Sequence, residues 1–470
     1  MPGRLKMQGA VWGQEVMDRH GPSGLAMTSS PRHCERRSGF FAMAASRSRQ
    51  ATTIANMTDL AAPLEPAPLP AACEVLVIGA GPAGSACAQA LASAGCDVVL
   101  VDQHDFPRDK TCGDGLIPDA HRALERLGVL DEVMARAQSV GHVRCYGPTG
   151  RHVDVPGTLA VLPRRELDHI LVRAAQRAGA RLHTPWRFDG LLRNEAGRVM
   201  GARMKRKEQV QEVQAQHVVL ATGASSQALQ ASGLCERRAP SAMGLRGYIK
   251  NEAMVGRITQ LEVVWHPKLK PGYGWIFPCR DGLFNIGVGI FDSHRPSGHR
   301  GRGVNLRDVF ADFARVHRPA RELLEGGHWL GDLKGAPLRS SLRGARFAAP
   351  GVLVTGEAAG STYSCTGEGI GKAMETGLLA AQSLVDARSQ GLSDEVLAQS
   401  YEAALAVLKP KFDLYEKGNR VNYYPWLTEI LVRRAAKSPR LRQRMSNLLE
   451  ERSTPAQLLT LRGIMKLFLD

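Results

Sequence analysis

Several things are scarce in this sequence. Aromatic residues make up 6% of its 470 positions. Its nine cysteines (34, 73, 87, 96, 112, 145, 235, 279 and 365) include no C-x-x-C pair and no Cys/His spacing of a zinc site. An odd, scattered set with no secretory signal ahead of it argues for reduced thiols in a cytosolic-type compartment, excludes a small disulfide scaffold, and leaves no visible metal site. There is no internal repeat. No basic run is interleaved with aromatics and no nucleic-acid-binding motif occurs, so nucleic acid is not an expected partner. One charge-free stretch, the 22 positions from Val75 to Cys96, is long enough to imitate a membrane span, but Gly79, Gly81, Pro82 and Gly84 interrupt it. A strand, a glycine turn and a helix account for it better.

What is present is an ordinary globular mix, 44% hydrophobic and 23% charged, long enough for more than one domain and a large core. The 61 Lys and Arg exceed the 45 Asp and Glu by 16. Residues 1–56 hold eight of the basic and three of the acidic residues, without apolar periodicity. They read as an Arg- and Ser-rich organellar targeting segment or, preferably, as sequence upstream of a true start at Met57. With the Pro/Ala linker at 58–72, residues 1–72 form an extension set apart from the fold. The basic remainder suits anionic lipid, phosphorylated substrates or an acidic redox partner.

The body alternates element types. Residues 73–78 (CEVLVI) form a short apolar strand, followed by the glycine turn, an Ala-rich helix to about Gly95, and a second strand at 97–101. Residues 119–129 read as a helix and 145–155 as a hairpin around Gly147-Pro148-Thr149-Gly150. Leu167, Ile170, Leu171, Ala174 and Ala178 recur at helical spacing over 164–178, with Gly179 as the stop. Strands follow at 217–222 and 352–355. Between them, from about Gly244 to Ile290, period-two patterning with turns at Pro271-Gly272 and Asp281-Gly282 predicts an antiparallel sheet. The expected fold is α/β: a Rossmann-like nucleotide-binding domain, discontinuous over 73–140, 163–226 and 346–390. It is interrupted by a hairpin at 141–162 and an antiparallel substrate domain at 227–345, with helices over 391–470.

Gly79, Gly81 and Gly84 sit directly between a strand and a helix, and Asp102 ends the next strand. In such a unit Gly79 makes the turn, Gly81 admits a pyrophosphate to the backbone, and Gly84 lets helix and strand pack. The helix start at Ala83 offers free N–H groups, and Asp102 accepts from ribose hydroxyls. Gly356-Glu357-Ala358-Ala359-Gly360 and then Thr366-Gly367-Glu368-Gly369-Ile370-Gly371 supply a carboxylate and a second glycine-lined helix start. That second start favours FAD over NAD alone, because a carboxylate can hold the ribityl chain and a helix dipole can stabilise the reduced flavin. A capped loop with Thr366 as N-cap is the plainer alternative.

These segments resemble the FAD-dependent oxidoreductases that include geranylgeranyl reductases, aromatic hydroxylases and flavin halogenases, most closely the geranylgeranyl reductase family. Three stretches carry the resemblance: residues 106–116 (FPRDKTCGDGL), residues 271–278 (PGYGWIFP), and the pair Gly356-Glu357-Ala358-Ala359-Gly360 and Thr366-Gly367-Glu368-Gly369. It covers about residues 73–390. Two positions depart from the family pattern: Glu357 stands where Asp is usual, and Thr222-Gly223-Ala224-Ser225-Ser226 replaces an expected Asp-Gly. The resemblance implies that FAD contacts Arg164, which otherwise reads as an exposed charge at a helix start. It places Cys112 in a loop near the flavin, as proton donor or substrate contact, or as a small packing residue. Tyr273, Trp275 and Phe277 alternate, so on a strand they share a face, either as an aromatic wall for a prenyl chain or quinone or as inter-sheet core.

The implied activity is reduction of carbon–carbon double bonds in a hydrophobic isoprenoid or prenylated quinone by hydride from reduced FAD. The alternatives are hydroxylation of an aromatic or quinone ring, and electron carriage. No second strand-anchored fingerprint exists, so NADPH or NADH is expected as a transient donor, or else a partner protein. The last 70 residues hold 13 Lys and Arg against seven Asp and Glu, with Tyr423-Tyr424-Pro425-Trp426-Leu427 and a final 459–469 segment. They read as a solvated helical cap or as a dock on an anionic membrane surface. The expected location is cytoplasmic, with peripheral membrane contact.

Overall fold

The computed structural model describes residues 69–291 and 304–453. The targeting or start-site segment, most of the Pro/Ala linker and the 459–469 segment lie outside the described residues.

Two sheets organise the chain. In the first, Val352–Val354, the end of Gln209–Leu220, Ala72–Ile78, Val98–Val101 and Arg181–His183 run parallel in that order. Val75–Ile78 is a continuous apolar run because both faces of the strand are covered there. Val75 and Val77 pack under the helices Pro82–Ser93 and Ile370–Gln390, in a core with Leu91, Ala380 and Leu384. Leu76 and Ile78 face the other way, onto Phe188, Met204 and Val213. Those come from an antiparallel layer made by Arg187–Arg193, Val199–Arg206 and the first half of Gln209–Leu220.

The second sheet contains Ala242–Lys250, Leu283–Ile290, Gly272–Pro278 and Leu261–Val264, then the hairpin Gln138–Tyr146 and His152–Val161. The first four are antiparallel to one another, as the period-two pattern predicts. Leu261–Val264, however, pairs parallel with Gln138–Tyr146. The hairpin enters from a distant part of the chain, so no tight turn dictates its direction. Helices Leu306–Val316 and Arg318–Glu325 cover one face, packing Phe313 and Leu323 on Ile276 and Ile286. The opposite face of Gly272–Pro278 carries Tyr273, Trp275 and Phe277.

The tail is helical, over Asp394–Gly418, Arg420–Tyr423, Pro425–Lys437 and Pro439–Leu449. Ser393 caps the first of these by accepting from the Val396 N–H, ahead of Asp394 and Glu395 in its first turn. Among the described residues no helix is long and apolar enough to cross a membrane.

Candidate active site

The glycine turn joins Ala72–Ile78 to Pro82–Ser93, and its three glycines differ in their surroundings. Gly79 has φ +102, and a Cβ there would lie 2.3 Å from the Ala221 carbonyl oxygen. At Gly84 a Cβ would lie 1.7 Å from the Gly79 oxygen, so helix and turn touch backbone to backbone. Gly81 differs. The nearest atoms to a Cβ there are the guanidinium tips of Arg108 at 3.8 Å and Arg164 at 4.0 Å, across open space. Among the described residues no atom crowds that position, and the space in front of it is open.

The two arginines are fixed by one carboxylate. Arg164, the first residue of helix Arg164–Arg177, donates from Nε and Nη2 to Asp168 one turn on, at 2.6 and 2.8 Å. Arg108 Nη1 reaches the same carboxylate at 3.0 Å. Arg164 is buried at 6% exposure, so it is not an exposed helix-start charge. Burial alone would weaken its hold on the proton, but Asp168 outweighs it and keeps the guanidinium above its ordinary range. Asp102 accepts from the N–H groups of Ala80 (2.8 Å) and His104 (3.0 Å), with Arg108 Nη2 at 3.5 Å. The i, i+4 spacing of Arg164 and Asp168 was visible in the sequence; the share taken by Arg108 was not, because the 106–116 loop has no periodicity to place it.

The second helix start comes from the far end of the chain. Glu357, in the short 3₁₀ turn Gly356–Ala359, accepts weakly from the Arg339 N–H and Thr362 hydroxyl, each at 3.4 Å, and lies 3.9 Å from Lys110 Nζ. Helix Ile370–Gln390 is capped by Gly369 without a side-chain bond, so Thr366 is not its N-cap. The helix crosses Pro82–Ser93 so closely that a Cβ on Gly377 would sit 2.2 Å from the Ala83 oxygen. Gly356 makes a matching approach, its Cβ position 2.5 Å from Ala83 Cβ.

Both helix starts open on one cavity of about 1160 Å³. Gly79, Gly81, Ala83, Asp102, Arg164, Glu357, Gly367, Gly369 and Ile370 all line it, with Cys112, Tyr273, Trp275 and Phe277. Gly84 and Gly356 do not; they serve the packing behind it. Tyr273 stacks on Phe291 (centroids 5.1 Å) and tilts against Trp265 (5.6 Å), two aromatics that the sequence pattern did not single out. Cys112 is half-buried, and its sulfur accepts from the Asp114 N–H at 3.4 Å.

Glu368, another wall residue, stands beside a buried charge cluster. Loss of solvation, followed by repulsion from Asp119 and Glu451, pushes its carboxyl up to about 8. Lys372 meets Glu375 at 2.8 Å, Glu451 at 3.3 Å and Asp119 at 3.6 Å. Unfolded, Glu368 loses its proton near the ordinary carboxyl value, whereas folded it holds the proton to about 8. Its contribution to stability therefore falls as pH rises through that window and levels off above it. Glu368→Gln should flatten the decline in thermal stability between pH 5 and 8; an unchanged pH profile would show the carboxyl to be ordinary.

The cavity fits a bound dinucleotide. Arg108 Nε and Thr222 Oγ1 are buried atoms of wall residues with no partner among the described residues, in the cavity that Gly81 also lines. A profile of the FAD binding domain family matches residues 72–311. The chain belongs to that family. It is an FAD-dependent oxidoreductase of the geranylgeranyl reductase type. This flavoprotein is 34% identical to the menaquinone reductase of Mycolicibacterium smegmatis, over 68% of this chain and 78% of that protein. It is 29% identical to digeranylgeranylglycerophospholipid reductase 1 of Methanopyrus kandleri, over 73% and 92%. Its fold is shared with a geranylgeranyl bacteriochlorophyll reductase-like protein of Thermoplasma acidophilum (TM-score 0.63, 22% identity, 85% and 96% covered). A flavin-dependent brominase has it too (TM-score 0.66, 18% identity, 85% and 98% covered).

Proposed function

We propose that this flavoprotein reduces carbon–carbon double bonds of an isoprenoid or prenylated quinone. The observation that carries the reading is continuity: one cavity runs from the dinucleotide turn past Tyr273, Trp275 and Phe277. Its apolar lining also includes Val143 and Val155 of the second sheet and Leu431, Met445 and Leu449 of the terminal helices. Its volume exceeds the ~300–1,000 Å³ of common ligand sites, which leaves room for a substrate beside a cofactor.

Bound FAD supplies a two-electron carrier able to deliver a hydride to one carbon of an alkene. In this reading Gly79, Gly81 and Ala83 give the pyrophosphate its backbone cradle, Arg164 and Arg108 flank it, and Asp102 takes the ribose hydroxyls. Glu357 would hold the ribityl chain, and the helix start at Gly367, Gly369 and Ile370 would offer its N–H groups to the ring system. The aromatic wall orients the hydrocarbon and keeps water from it. Cys112 or Glu368 supplies the proton for the second carbon. NADPH or NADH is the expected donor, visiting transiently. An acidic redox partner is the alternative, suited to the basic surface.

Anaerobic turnover tests this directly. A reductase consumes a prenylated quinone or polyprenyl lipid without oxygen, and a hydroxylase does not; loss of product under nitrogen would hand the site to ring hydroxylation. Trp275→Ala should lower kcat/KM at least ~10-fold while flavin content holds, because a large aromatic contact is removed from the substrate side. Unchanged turnover would reduce the wall to packing.

The same lining includes Trp426, which is 57% exposed, and the exposed Arg420 and Lys417. Tyr424 is 53% exposed on the same short segment. Aromatic tips and cations around an apolar opening suit an anionic bilayer from which a lipid substrate enters. The double variant Tyr424→Ser, Trp426→Ser should sediment several-fold less with phosphatidylglycerol vesicles than the unaltered protein. Equal sedimentation would remove the membrane from this face.

A further inference from the structure

Asn285 lies on Leu283–Ile290, paired with Phe277 of the neighbouring strand, so its side chain shares the face of the aromatic wall. It is fully buried. Its Oδ1 accepts from the Trp275 indole Nε1 at 2.9 Å. Its Nδ2 donates to the Cys112 carbonyl at 2.8 Å and to Asp114 Oδ2 at 2.7 Å. All three bonds fix the amide orientation, since a flip would set oxygen against two acceptors and N–H against a donor. A buried strand position favours Val or Ile, and an amide is costly there unless fully paired. The pairing is complete, and both of its ends lie on residues of the cavity wall.

We infer that Asn285 is a positioning residue that stitches the Trp275 indole to the Cys112 loop, so that aromatic wall and thiol meet the substrate as one rigid unit. The inference rests on the substrate reading above. Neighbouring atoms leave the unit little freedom. A Cβ on Gly287 would fall 2.3 Å from Trp275 Cζ2, and one on Gly113 would fall 3.1 Å from Phe277 Cε2, so the indole lies against bare backbone of the strand and the Phe277 ring against bare backbone of the loop. From the next strand, on the same face of the sheet, the buried Arg246 donates to the carbonyls of Lys110 at 2.9 Å and Cys112 at 3.4 Å. Tyr248 donates its hydroxyl to Asp114. Arg246 and Tyr248 anchor the loop to Ala242–Lys250, but Asn285 alone of these three also binds the wall.

The test uses full-length, flavin-loaded protein and three variants: Asn285→Leu, Asn285→Asp and Trp275→Phe. Asp keeps the acceptor for Trp275 but turns a carboxylate oxygen towards Cys112 O and Asp114, and Phe removes the indole N–H. Measured are flavin content, the iodoacetamide alkylation rate of Cys112 by peptide mass spectrometry, and kcat and KM for a prenylated quinone. Flavin content should hold, Cys112 alkylation should accelerate, and kcat should fall about 10- to 100-fold with KM nearly unchanged. Wild-type alkylation and kcat in Asn285→Leu and Trp275→Phe would overturn the inference. If Asn285→Leu fails to fold, Trp275→Phe decides by the same two readouts. Should unaltered enzyme leave prenylated quinone untouched while the variants still expose Cys112, the substrate reading falls and the positioning role stands.

Discussion

A Gly81→Leu protein should fold normally and purify without colour. The nearest atoms to a Cβ at this position are two arginine tips at 3.8 and 4.0 Å, so the chain itself tolerates the side chain. The leucine instead fills the space where the proposed pyrophosphate would approach the backbone, and FAD affinity should drop at least ~100-fold, equivalent to about 3 kcal/mol. Gly84→Ala is the control. Its methyl would collide with the Gly79 oxygen, and the helix would have to leave the strand, so soluble folded protein should be lost before flavin binding is at issue. Absorbance near the flavin bands and circular dichroism separate the two failures. A fully yellow Gly81→Leu protein would remove the cofactor from this turn.

Asp168→Ala should be nearly as severe, by a different route. The carboxylate is fully buried and serves both Arg164 and Arg108, so its loss strands the Arg164 guanidinium and leaves Arg108 with Asp102 at 3.5 Å, a penalty on the order of 3–5 kcal/mol. If those arginines flank the FAD pyrophosphate, the cofactor partly replaces the missing anion. Saturating FAD should then raise the urea midpoint of Asp168→Ala more than that of the unaltered protein. Equal shifts would place the arginines away from the phosphates.

How much of this could be seen before the structure depends on how local each signal is. The turn Gly79–Gly84 lies within one strand–helix unit, and its glycines announced both backbone contact and open space. Tyr273, Trp275 and Phe277 were placed on one face by period two alone. Arg164 was found, but its burial was not, because that depends on Arg108 folding over from an irregular loop. Asn285 gave no signal: one amide in LFNIGVGI looks like an imperfection in a core strand until Trp275 and Cys112 are seen on either side of it. The parallel entry of Leu261–Val264 beside the hairpin was hidden for the same reason, since strand direction between distant segments leaves no local trace.

The crossing of Pro82–Ser93 by Ile370–Gln390 also constrains biosynthesis. Arg388 donates to the Ala94 carbonyl across 294 residues of sequence, and Val352–Val354 closes the parallel sheet against Gln209–Leu220. A nascent chain arrested before residue 352 would therefore present the bare margin of Gln209–Leu220 and the sticky alanine face of Pro82–Ser93 to solvent. Such a fragment has half a nucleotide cradle and an open invitation to aggregate. Acquisition of the cofactor must wait for nearly the whole polypeptide to leave the ribosome, and chaperones have that interval to cover.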